Sequence, residues 1–238
     1  MKRIQFDIPY LSYQDVTHQR TLHEKIYPDM HADYYWSDDF SPEFYIAQAK
    51  AGLVATTEFH QGEELLLPEI LFSYALLDFE DLHISRKVKK LLAGKKLKIE
   101  IGQNLDEVSE GIGRRHRHNW LTPRYLDTMK ATQGLDEDFH VLSVLIREEG
   151  EAVAGEIGYA IGKTYTSLSG FSSPEKRYRN YGTAQLVLLA GYLEENGFAF
   201  WNLGQPYMAY KFALGARMNE RREFLKRWSF ERKDRGEE

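Results

Sequence analysis

Cysteine is absent from the 238-residue sequence, and so is any apolar run of the ~18 residues that a membrane span requires. Without cysteine, disulfides, thiolate nucleophiles and cysteine-type zinc sites are excluded. The first residues, "MKRIQFDIPY", lack the apolar region of a signal peptide. We therefore expect a cytoplasmic protein with no membrane partner. We assign no metal, because no metal-ligand spacing joins the isolated histidines His18, His23, His31 and His60.

Charge is abundant but unevenly distributed. The chain has 31 Lys and Arg against 36 Asp and Glu, for a formal net charge of -5. Residues 1–82 carry a net charge of -10, residues 83–130 of +7 and residues 131–238 of -2. A basic segment inside an acidic chain predicts a polyanionic partner that binds at one local surface.

The front of the chain predicts a small, turn-rich unit. In "SPEFYIAQAKAGL", Ser41 can cap a helix and Pro42 can occupy its first position, so we expect a short helix over residues 42–51. We place a small N-terminal domain at residues 1–80 and a catalytic domain at residues 81–238.

The back of the chain changes pattern at His140. "HVLSVLIREEGEAVAGEIGYAIGKTYTSLSGF" predicts three antiparallel strands joined by a Glu-Glu-Gly turn and a Gly-Lys turn. A long helix over residues 182–196, the short buried strand "FAFWNLG" and a further helix and strand follow. This order is that of the GNAT acyltransferase fold. We predict the α+β class, with a GNAT-like acyltransferase fold and a smaller N-terminal α/β unit.

The basic segment begins with a predicted amphipathic helix. "LHISRKVKKLLAG" places apolar residues among cations, with Ser85 as the N-cap and Gly94 as the stop. Cations three or four residues apart can track a phosphate backbone, whereas a solvated helix face is the ordinary alternative. The candidate phosphate contacts are Arg86, Lys87, Lys90, Lys95 and Lys96.

A second cationic cluster leads into an aromatic residue, Trp120. The cluster consists of Arg114, Arg115, His116, Arg117 and His118. A ring among cations is an arrangement that stacks an unpaired base, although core packing is an equal alternative for Trp120. We expect the basic helix and this ring to form one dock for the end of a nucleic acid, beside a cleft.

Two further motifs carry possible chemistry. "RNYGTA" fits the R-x-x-G-x-A pattern at a helix start that receives the pyrophosphate of acetyl-coenzyme A, through Arg179, Gly182 and Ala184; an ordinary helix start is the alternative. "FWNLGQ" presents Asn202 and Gln205 at a strand end. Amides can orient a carbonyl or an amine but do not act as general bases, and structural capping is the competing interpretation.

Together, five colinear segments resemble one family. They are "LHISRKVKKLL", "HNWLTPRYLDTM", "GEAVAGEIGYAIGKTYTSLSGFSS", "NGFAFWNLGQ" and "ALGARMNERREFL". The chain is similar through them to the leucyl/phenylalanyl-tRNA protein transferases, from about residue 40 to residue 228. The resemblance implies a GNAT-type catalytic domain like that of FemABX proteins. It also implies transfer of an amino acid from tRNA to the α-amine of a protein that begins with Arg or Lys, which marks that protein for degradation.

The resemblance assigns roles to particular residues. The basic helix matches the element that grips the acceptor stem, and Trp120 matches the platform for the terminal adenosine. Phe171 and Ser172 match the Phe-Ser that borders the family's pocket for the aminoacyl side chain, and we expect Tyr165 to line the same pocket. Gln205 matches the Gln of the family's "DCQ", and we expect it to be catalytic together with Asn202.

The chain departs from the family at three places. "LLLPEILFSYA" replaces the family's "WWSPDPR", the Glu of "GES" falls at Leu168, and the Asp of "DCQ" lies nearest Asn202. A carboxylate is therefore missing where the family has one. The leading hypothesis is an aminoacyl-tRNA-dependent aminoacyltransferase with an altered donor or acceptor and no cofactor. A coenzyme-A-dependent N-acyltransferase and a catalytically silent RNA-binding relative are the alternatives, and the oligomeric state stays open.

Overall fold

A computed structural model describes residues 7–115 and 119–233 of the chain. The strands are β1 (Val54–His60), β2 (Glu63–Glu69), β3 (Ser73–Leu77), β4 (Ile99–Gly102), β5 (Phe139–Glu148), β6 (Glu151–Ile161), β7 (Thr164–Ser172), β8 (Phe200–Asn202) and β9 (Arg217–Glu220). The helices are α1 (Tyr13–Thr17), α2 (Gln19–Thr21), α3 (Pro42–Lys50), α4 (Arg86–Gly94), α5 (Leu105–Arg115), α6 (Pro123–Ala131), α7 (Tyr181–Glu195), α8 (Ala209–Ala213) and α9 (Arg221–Lys233). A π-helical turn spans Leu22–Ile26, and short 3-10 turns span Phe79–Asp81 and Lys176–Tyr178.

Seven strands form one mixed sheet in the order β4-β5-β6-β7-β8-β3-β9. Neighbouring strands pair antiparallel except β7 and β8, which are parallel. β1 and β2 form a separate antiparallel hairpin. The meander β5-β6-β7, the helix α7 and the parallel strand β8 occur in the predicted order, and the α+β class with a GNAT-like arrangement is confirmed.

The first turn of the meander has left-handed backbone. Between β5 and β6, Glu149 has a φ of 53° and Gly150 a φ of 86°. Two successive positive φ angles define the tight turn whose twist matches a right-twisted pair of antiparallel strands. The sequence pattern Glu-Glu-Gly therefore predicted this connection correctly.

The helices begin where their capping residues predict. Ser41 Oγ accepts a hydrogen bond from Phe44 N at 3.2 Å, and Ser85 Oγ accepts one from Val88 N at 3.4 Å. Each cap satisfies a backbone amide that would otherwise lack a partner, and such a cap stabilises a helix by about 1 kcal/mol. The predicted helices over residues 42–51 and 182–196 agree with α3 and α7 to within one residue at each end.

The sheet buries apolar side chains on both of its faces. Along β6, Tyr159 and Ile161 belong to a core cluster that includes residues of α3, α5 and α6. Ala160 belongs to a second cluster, which includes residues of α4 and α7. The alternation follows from strand geometry, because successive side chains point to opposite faces. We call the two sides the α5 face and the α7 face.

The N-terminal region shares both sheet and core with the rest of the chain. β3 lies between β8 and β9, so the small domain predicted for residues 1–80 contributes a strand to the central sheet. The α5-face cluster also contains Phe44 of α3 and Phe224 of α9. The division at residue 80 stays a prediction, and its two parts are joined by one continuous core. Within the described ranges, no helix is both long and apolar enough to cross a membrane.

Candidate functional site

The parallel pair β7 and β8 stays together for only three residues. Thr164 lies opposite Phe200, and the ladder ends at the pair Thr166 and Asn202. β7 then continues to Ser172 beside β6, whereas the chain after β8 stays with β3. The strands therefore part in the middle of the sheet, and residues 167–172 do not pair with residues 203–205. We call this region the strand splay.

A β-bulge lies at the beginning of the splay. On β6, Gly158 pairs with Ser167 and the next residue, Ile157, pairs with Ser169, so Leu168 is an extra residue in β7. A bulge changes the face to which the following side chains point. Leu168 takes the place of the family's "GES" glutamate and packs against the α5-face cluster.

Gln205 lies three residues after the end of β8 and contacts a carboxylate from a distant strand. Its Nε2 donates to both carboxylate oxygens of Glu69, at 3.2 and 3.0 Å. Glu69 is the last residue of β2, and the Tyr34 hydroxyl also hydrogen-bonds to it. We call these three residues the Gln205 cluster. It provides an amide, a carboxylate and a phenol beside the splay.

Burial changes the acidity of this cluster. Desolvation raises the pKa of Glu69, although hydrogen bonds from Tyr34 and Gln205 oppose the change. Burial also raises the pKa of Tyr34, and the nearby Glu69 carboxylate adds to that increase. A carboxylate with a raised pKa is a stronger proton acceptor than an exposed one. Glu69 is therefore a described group beside the splay that is suited to receive a proton.

A buried lysine lies beneath Gln205. Lys211 of α8 is only 5% exposed, and its Nζ donates to Gln205 O at 2.7 Å. Burial lowers the pKa of Lys211 to about 8. None of the described carboxylates forms an ion pair with this amine. Lys211 thus holds the backbone that carries the Gln205 side chain.

Asn202 occupies a different environment from Gln205. It is 1% exposed, its Oδ1 accepts from Gly204 N at 2.9 Å, and its Nδ2 donates to Thr166 Oγ1 at 3.4 Å. Gly204 has a φ of 74°. This geometry matches the interpretation of Asn202 as a structural capping residue, because its amide oxygen accepts a hydrogen bond within the turn after β8. Its predicted catalytic role has no support from this arrangement and stays a prediction.

Tyr165 was expected to line the substrate pocket, but the structure places it in the core. Its hydroxyl donates to Glu156 at 3.1 Å, and the same carboxylate accepts from Ser167 Oγ at 2.7 Å and Gln185 Nε2 at 3.1 Å. The ring is fully buried in the α7-face cluster. Burial raises the pKa of Glu156 and of Tyr165. Tyr165 therefore closes a buried network, and its expected place in the substrate pocket stays a prediction.

Phe171 and Ser172 end β7 on opposite sides of the sheet. The Phe171 ring packs on the α5 face, where a Cβ added to Gly111 would lie 2.5 Å from its Cε1 atom. Ser172 points the other way, and a Cβ added to Gly182 would lie 3.1 Å from its Cβ. Both side chains are partly exposed. They remain candidates for the walls of the splay.

The R-x-x-G-x-A motif lies at the first turn of α7, beside Ser172. Asn180, the N-cap, has a φ of 73° and makes no side-chain capping bond. Gly182 is partly exposed, Arg179 is exposed and Ala184 is fully buried. An uncapped helix start next to the splay has backbone amides free to receive an anion. The predicted coenzyme A contacts are therefore in a suitable place, and that assignment stays a prediction.

Trp120 is partly buried on the α5 face. Its ring meets Tyr125 edge to face, with 5.3 Å between the ring centroids. Thr57 Oγ1 donates to Trp120 O, which fixes the backbone at this point. One part of the indole therefore packs against the core, as the structural interpretation expects. Another part is exposed and is available to stack on a base.

The basic helix α4 packs on the α7 face. Val88 is buried in that face's cluster, with Leu91 and Leu92 beside it. The predicted phosphate contacts Arg86, Lys87, Lys90, Lys95 and Lys96 are all exposed. Lys95 differs from the other four, because it pairs with Glu148 and lies 5.7 Å from the Tyr181 ring centroid. Arg86, Lys87, Lys90 and Lys96 form no ion pair with any described residue.

The basic helix and Trp120 lie on opposite faces of the sheet. The expected single dock is corrected by this finding, because the chain passes from α4 around the edge strand β4 to α5. Arg114 and Arg115 end α5 and are exposed, while the cluster's His116, Arg117 and His118 lie outside the described residues. Arg114 and Arg115 follow Gly111, which packs against Phe171 of β7, so this end of α5 lies on the α5 face near the splay. The exposed cations of α4 lie on the α7 face. We call the exposed surface of α4 that carries Arg86, Lys87, Lys90 and Lys96 the basic edge.

No group of three or more His, Asp or Glu side chains able to hold a metal occurs in the described parts of the chain.

A meander that splays from a parallel strand, with a helix starting beside the splay, defines a GNAT-type acyltransferase fold. The crystal structure of FemX has this fold in common with the chain, with a TM-score of 0.51 at 12% identity over 92% of this chain and 81% of that one. The profile of the leucyl/phenylalanyl-tRNA protein transferases matches residues 76–229, and the chain belongs to that family.

Named relatives in the family are moderately similar. The leucyl/phenylalanyl-tRNA–protein transferase of Pseudomonas fluorescens strain Pf0-1 is 29% identical over 148 residues, which cover 61% of this chain and 62% of that protein. The enzyme of the same name from Pseudomonas entomophila strain L48 is 30% identical over 149 residues, with the same coverage. The matched region therefore spans less than two thirds of either relative.

Glu69 is the site residue that the sequence did not reveal. It lies in "LLLPEILF", the stretch that replaces the family's tryptophan segment, and 136 residues separate it from Gln205. Lys211 was likewise unmarked in its sequence context. The sequence shows only that Glu69 is a carboxylate at the end of an apolar strand. Such residues are common at strand ends and do not by themselves indicate a functional site.

Proposed function

We propose that the protein is an aminoacyl-tRNA-dependent aminoacyltransferase, which moves an amino acid from tRNA to the N-terminal α-amine of a protein or peptide. The observation that carries the proposal is the contact between Gln205 and Glu69 beside the strand splay. It supplies a carboxylate that the "NLGQ" sequence lacks. Membership of the leucyl/phenylalanyl-tRNA protein transferase family supports aminoacyl-tRNA as the donor.

The reaction is aminolysis of an ester. The amine nitrogen attacks the ester carbonyl carbon, a C–N bond forms, and the C–O bond to the terminal ribose breaks. The proton released by the amine balances the proton gained by the ribose oxygen. Because the ester is already activated, the chain contributes mainly by positioning the reactants and moving this proton.

The Gln205 cluster fits these tasks. An α-amine has an ordinary pKa of about 8, so the attacking nitrogen must lose a proton near neutral pH. Glu69 has a raised pKa because it is buried, and it is the proposed acceptor. Gln205 holds that carboxylate through its Nε2, and Lys211 fixes Gln205 through its backbone oxygen. Lys211 is a positioning residue in this scheme.

The basic edge is the proposed binding surface for tRNA. It consists of exposed cations of α4, and Arg86, Lys87, Lys90 and Lys96 form no ion pair with a described residue. The acceptor stem would contact this surface, and its single-stranded end would extend from there to the splay. Trp120 and Phe171 then flank that end on the α5 face. Such a reaction belongs in the cytoplasm, where aminoacyl-tRNA is made.

The deciding experiment offers the full chain a panel of charged tRNAs together with short peptides that differ in their N-terminal residue. Radiolabelled donors report product, and filter binding reports affinity. We expect one donor class to give peptide-linked label and salt-sensitive binding. Binding of charged tRNA without product for every donor and peptide would establish the silent RNA-binding relative instead.

A coenzyme-A-dependent N-acyltransferase is the second candidate, favoured by the uncapped start of α7 beside Ser172. Calorimetry with acetyl-coenzyme A separates it from the first. Binding that Gly182→Val abolishes would favour this candidate, because the added side chain would enter the space between α7 and β7. The leading proposal requires no cofactor and predicts no such binding.

A further inference from the structure

A cavity in the described structure lies away from the strand splay. Its volume is about 940 Å³, and it is lined by α1, the π-helical turn, α3, residues 135–136 and α9. No residue of β2, β7, β8 or α8 lines it. Pockets for small molecules have volumes of about 300 to 1,000 Å³, so the cavity has room for a ligand of that class.

The floor of the cavity is apolar and fixed. Leu22, Ile46 and Trp228 line it and are 2%, 7% and 2% exposed. Trp228 Nε1 donates to Lys50 O at 3.0 Å, which satisfies the polar atom of the indole. A ligand that reaches the floor of the cavity would therefore contact aliphatic and aromatic side chains.

Apolar side chains also stand exposed at the cavity. Tyr13, Met30 and Leu135 line it and are 45%, 55% and 53% exposed. They come from three separate segments of the chain and converge on one opening. Exposed apolar residues that gather around a concavity mark a binding site more often than residues scattered over a surface.

The backbone of one wall is unusual. The turn Leu22–Ile26 is π-helical, and Tyr27 N donates to Leu22 O at 2.8 Å, five residues back. π-helical turns are rare and occur frequently at functional sites. This one places Leu22 in the floor and His23 in the wall of the same cavity.

The charges of the lining are predominantly positive. Lys50, Arg221, Arg222 and Lys226 line the cavity against two carboxylates, those of Glu43 and Asp136. Lys50 and Asp136 neutralise each other at 2.5 Å, and the guanidinium of Arg221 donates to backbone carbonyls. Arg222 and Lys226 remain, one helical turn apart on α9, both exposed and in no ion pair with a described residue.

We propose that this cavity binds an amphipathic molecule with a linear apolar chain and an anionic head group. The chain lies along Leu22, Ile46 and Trp228, and the head group pairs with Arg222 and Lys226. The inference is independent of the transferase reaction, because its evidence lies in other elements. It adds a second ligand site to the protein.

The test is calorimetry of the full chain with dodecanoate below its micelle concentration. We expect saturable binding at one site, together with a change in the emission of the buried Trp228. Affinity should increase about fourfold for each methylene from octanoate to dodecanoate, as burial of hydrocarbon requires. Dodecyltrimethylammonium has the same chain with a cationic head and should bind at least about tenfold more weakly.

Two variants locate the site. Ala47→Trp fills the cavity from α3, and the double variant Arg222→Glu, Lys226→Glu reverses the charge at exposed positions that the fold tolerates. Each should weaken dodecanoate binding by about tenfold or more, equal to ~1.4 kcal/mol. The matched control is Lys89→Glu, Lys176→Glu, which reverses two exposed charges elsewhere and should leave the affinity unchanged.

Three results would overturn the proposal. If dodecanoate does not bind, the proposed class of ligand is wrong. If dodecyltrimethylammonium binds with equal affinity, Arg222 and Lys226 do not recognise the head group. Binding unaffected by the charge-reversal variant places the ligand elsewhere. If Ala47→Trp fails to fold, the charge-reversal variant and the chain-length series still decide the question.

Discussion

The Nε2 atom of Gln205 lies 3.0 and 3.2 Å from the two carboxylate oxygens of Glu69, a residue that precedes it by 136 positions. The contact joins the end of the β1–β2 hairpin to the end of β8. It places a partly desolvated carboxylate beside the strand splay, where the sequence next to Gln205 has only an amide.

Glu69→Gln should lower the rate of aminoacyl transfer by about 100-fold or more, because the amide keeps the shape of the side chain but accepts no proton. Burial raises the pKa of Glu69. As the pH is lowered, the wild-type rate should therefore begin to fall at a higher pH than an ordinary glutamate would cause. A pH profile of kcat for the two proteins checks both statements.

The control for this change is Glu63→Gln, which alters an exposed glutamate on the same strand. It should leave the rate and the acidic limb of the profile intact. An acidic limb that persists in Glu69→Gln would assign proton transfer to another group.

Lys211 should make stability depend on pH between about 8 and 10.5. Burial lowers its pKa from the ordinary 10.5 to about 8, so within this window the unfolded chain binds more protons than the folded one. Stability from this group is therefore lowest below pH 8 and increases as the pH rises. We expect the free energy of unfolding, measured with urea, to change less favourably from pH 8 to pH 10 in Lys211→Met than in the wild type. It should rise by less, or fall by more.

Lys89→Met is the matched control for Lys211, because it removes an exposed lysine. Its dependence on pH should equal that of the wild type. Identical curves for Lys211→Met and the wild type would mean that the amine is solvated in solution.

The basic edge should make tRNA binding depend on salt. Lys87→Ala and Lys90→Ala should each reduce the slope of log affinity against log salt concentration by about 0.7 to 0.9, one phosphate contact each. Lys95→Ala should have a smaller effect, because Glu148 already pairs with that amine. Filter binding over a salt series measures the three slopes. A Lys95→Ala effect as large as the others would show that its ion pair opens in the complex.

Local features of this fold were predictable, because their causes lie within a few residues. Ser85 caps α4 by accepting from Val88 N three residues later, and Glu149 with Gly150 closes the first turn of the meander. Both follow from side-chain chemistry and backbone conformation that neighbouring residues determine. The sequence likewise predicted α7 and the position of the R-x-x-G-x-A motif at its N-terminus.

The assembly of the site was not predictable in this way. Leu168 inserts one residue into β7, and nothing in "TSLSGFSS" indicates which face Phe171 will occupy after the bulge. The predicted neighbours α4 and Trp120 are separated because the chain rounds the edge strand β4 between them. The contact between Glu69 and Gln205 depends on how a separate hairpin packs against the sheet.

Gly111 and Phe171 give a test of the α5-face wall of the splay. A Cβ at Gly111 would lie 2.5 Å from Phe171 Cε1, so Gly111→Ala must displace the ring. We expect it to lower the free energy of unfolding by about 1 to 3 kcal/mol, as over-packing does. Gly191→Ala in α7 is the matched control, since no atom lies within 4 Å of its added Cβ. That change should stabilise the helix by up to about 1 kcal/mol.

The same pair separates a structural role of Phe171 from a role in the pocket. Adding Phe171→Leu to Gly111→Ala should restore part of the lost stability, because the shorter side chain relieves the contact, and the two changes should be non-additive in urea unfolding. If Phe171 borders the aminoacyl side chain, the double variant should also change the ratio of transfer rates for a large and a small donor amino acid. An unchanged ratio at restored stability would confine Phe171 to packing against α5, and the donor pocket would then have to be formed by other residues of the splay.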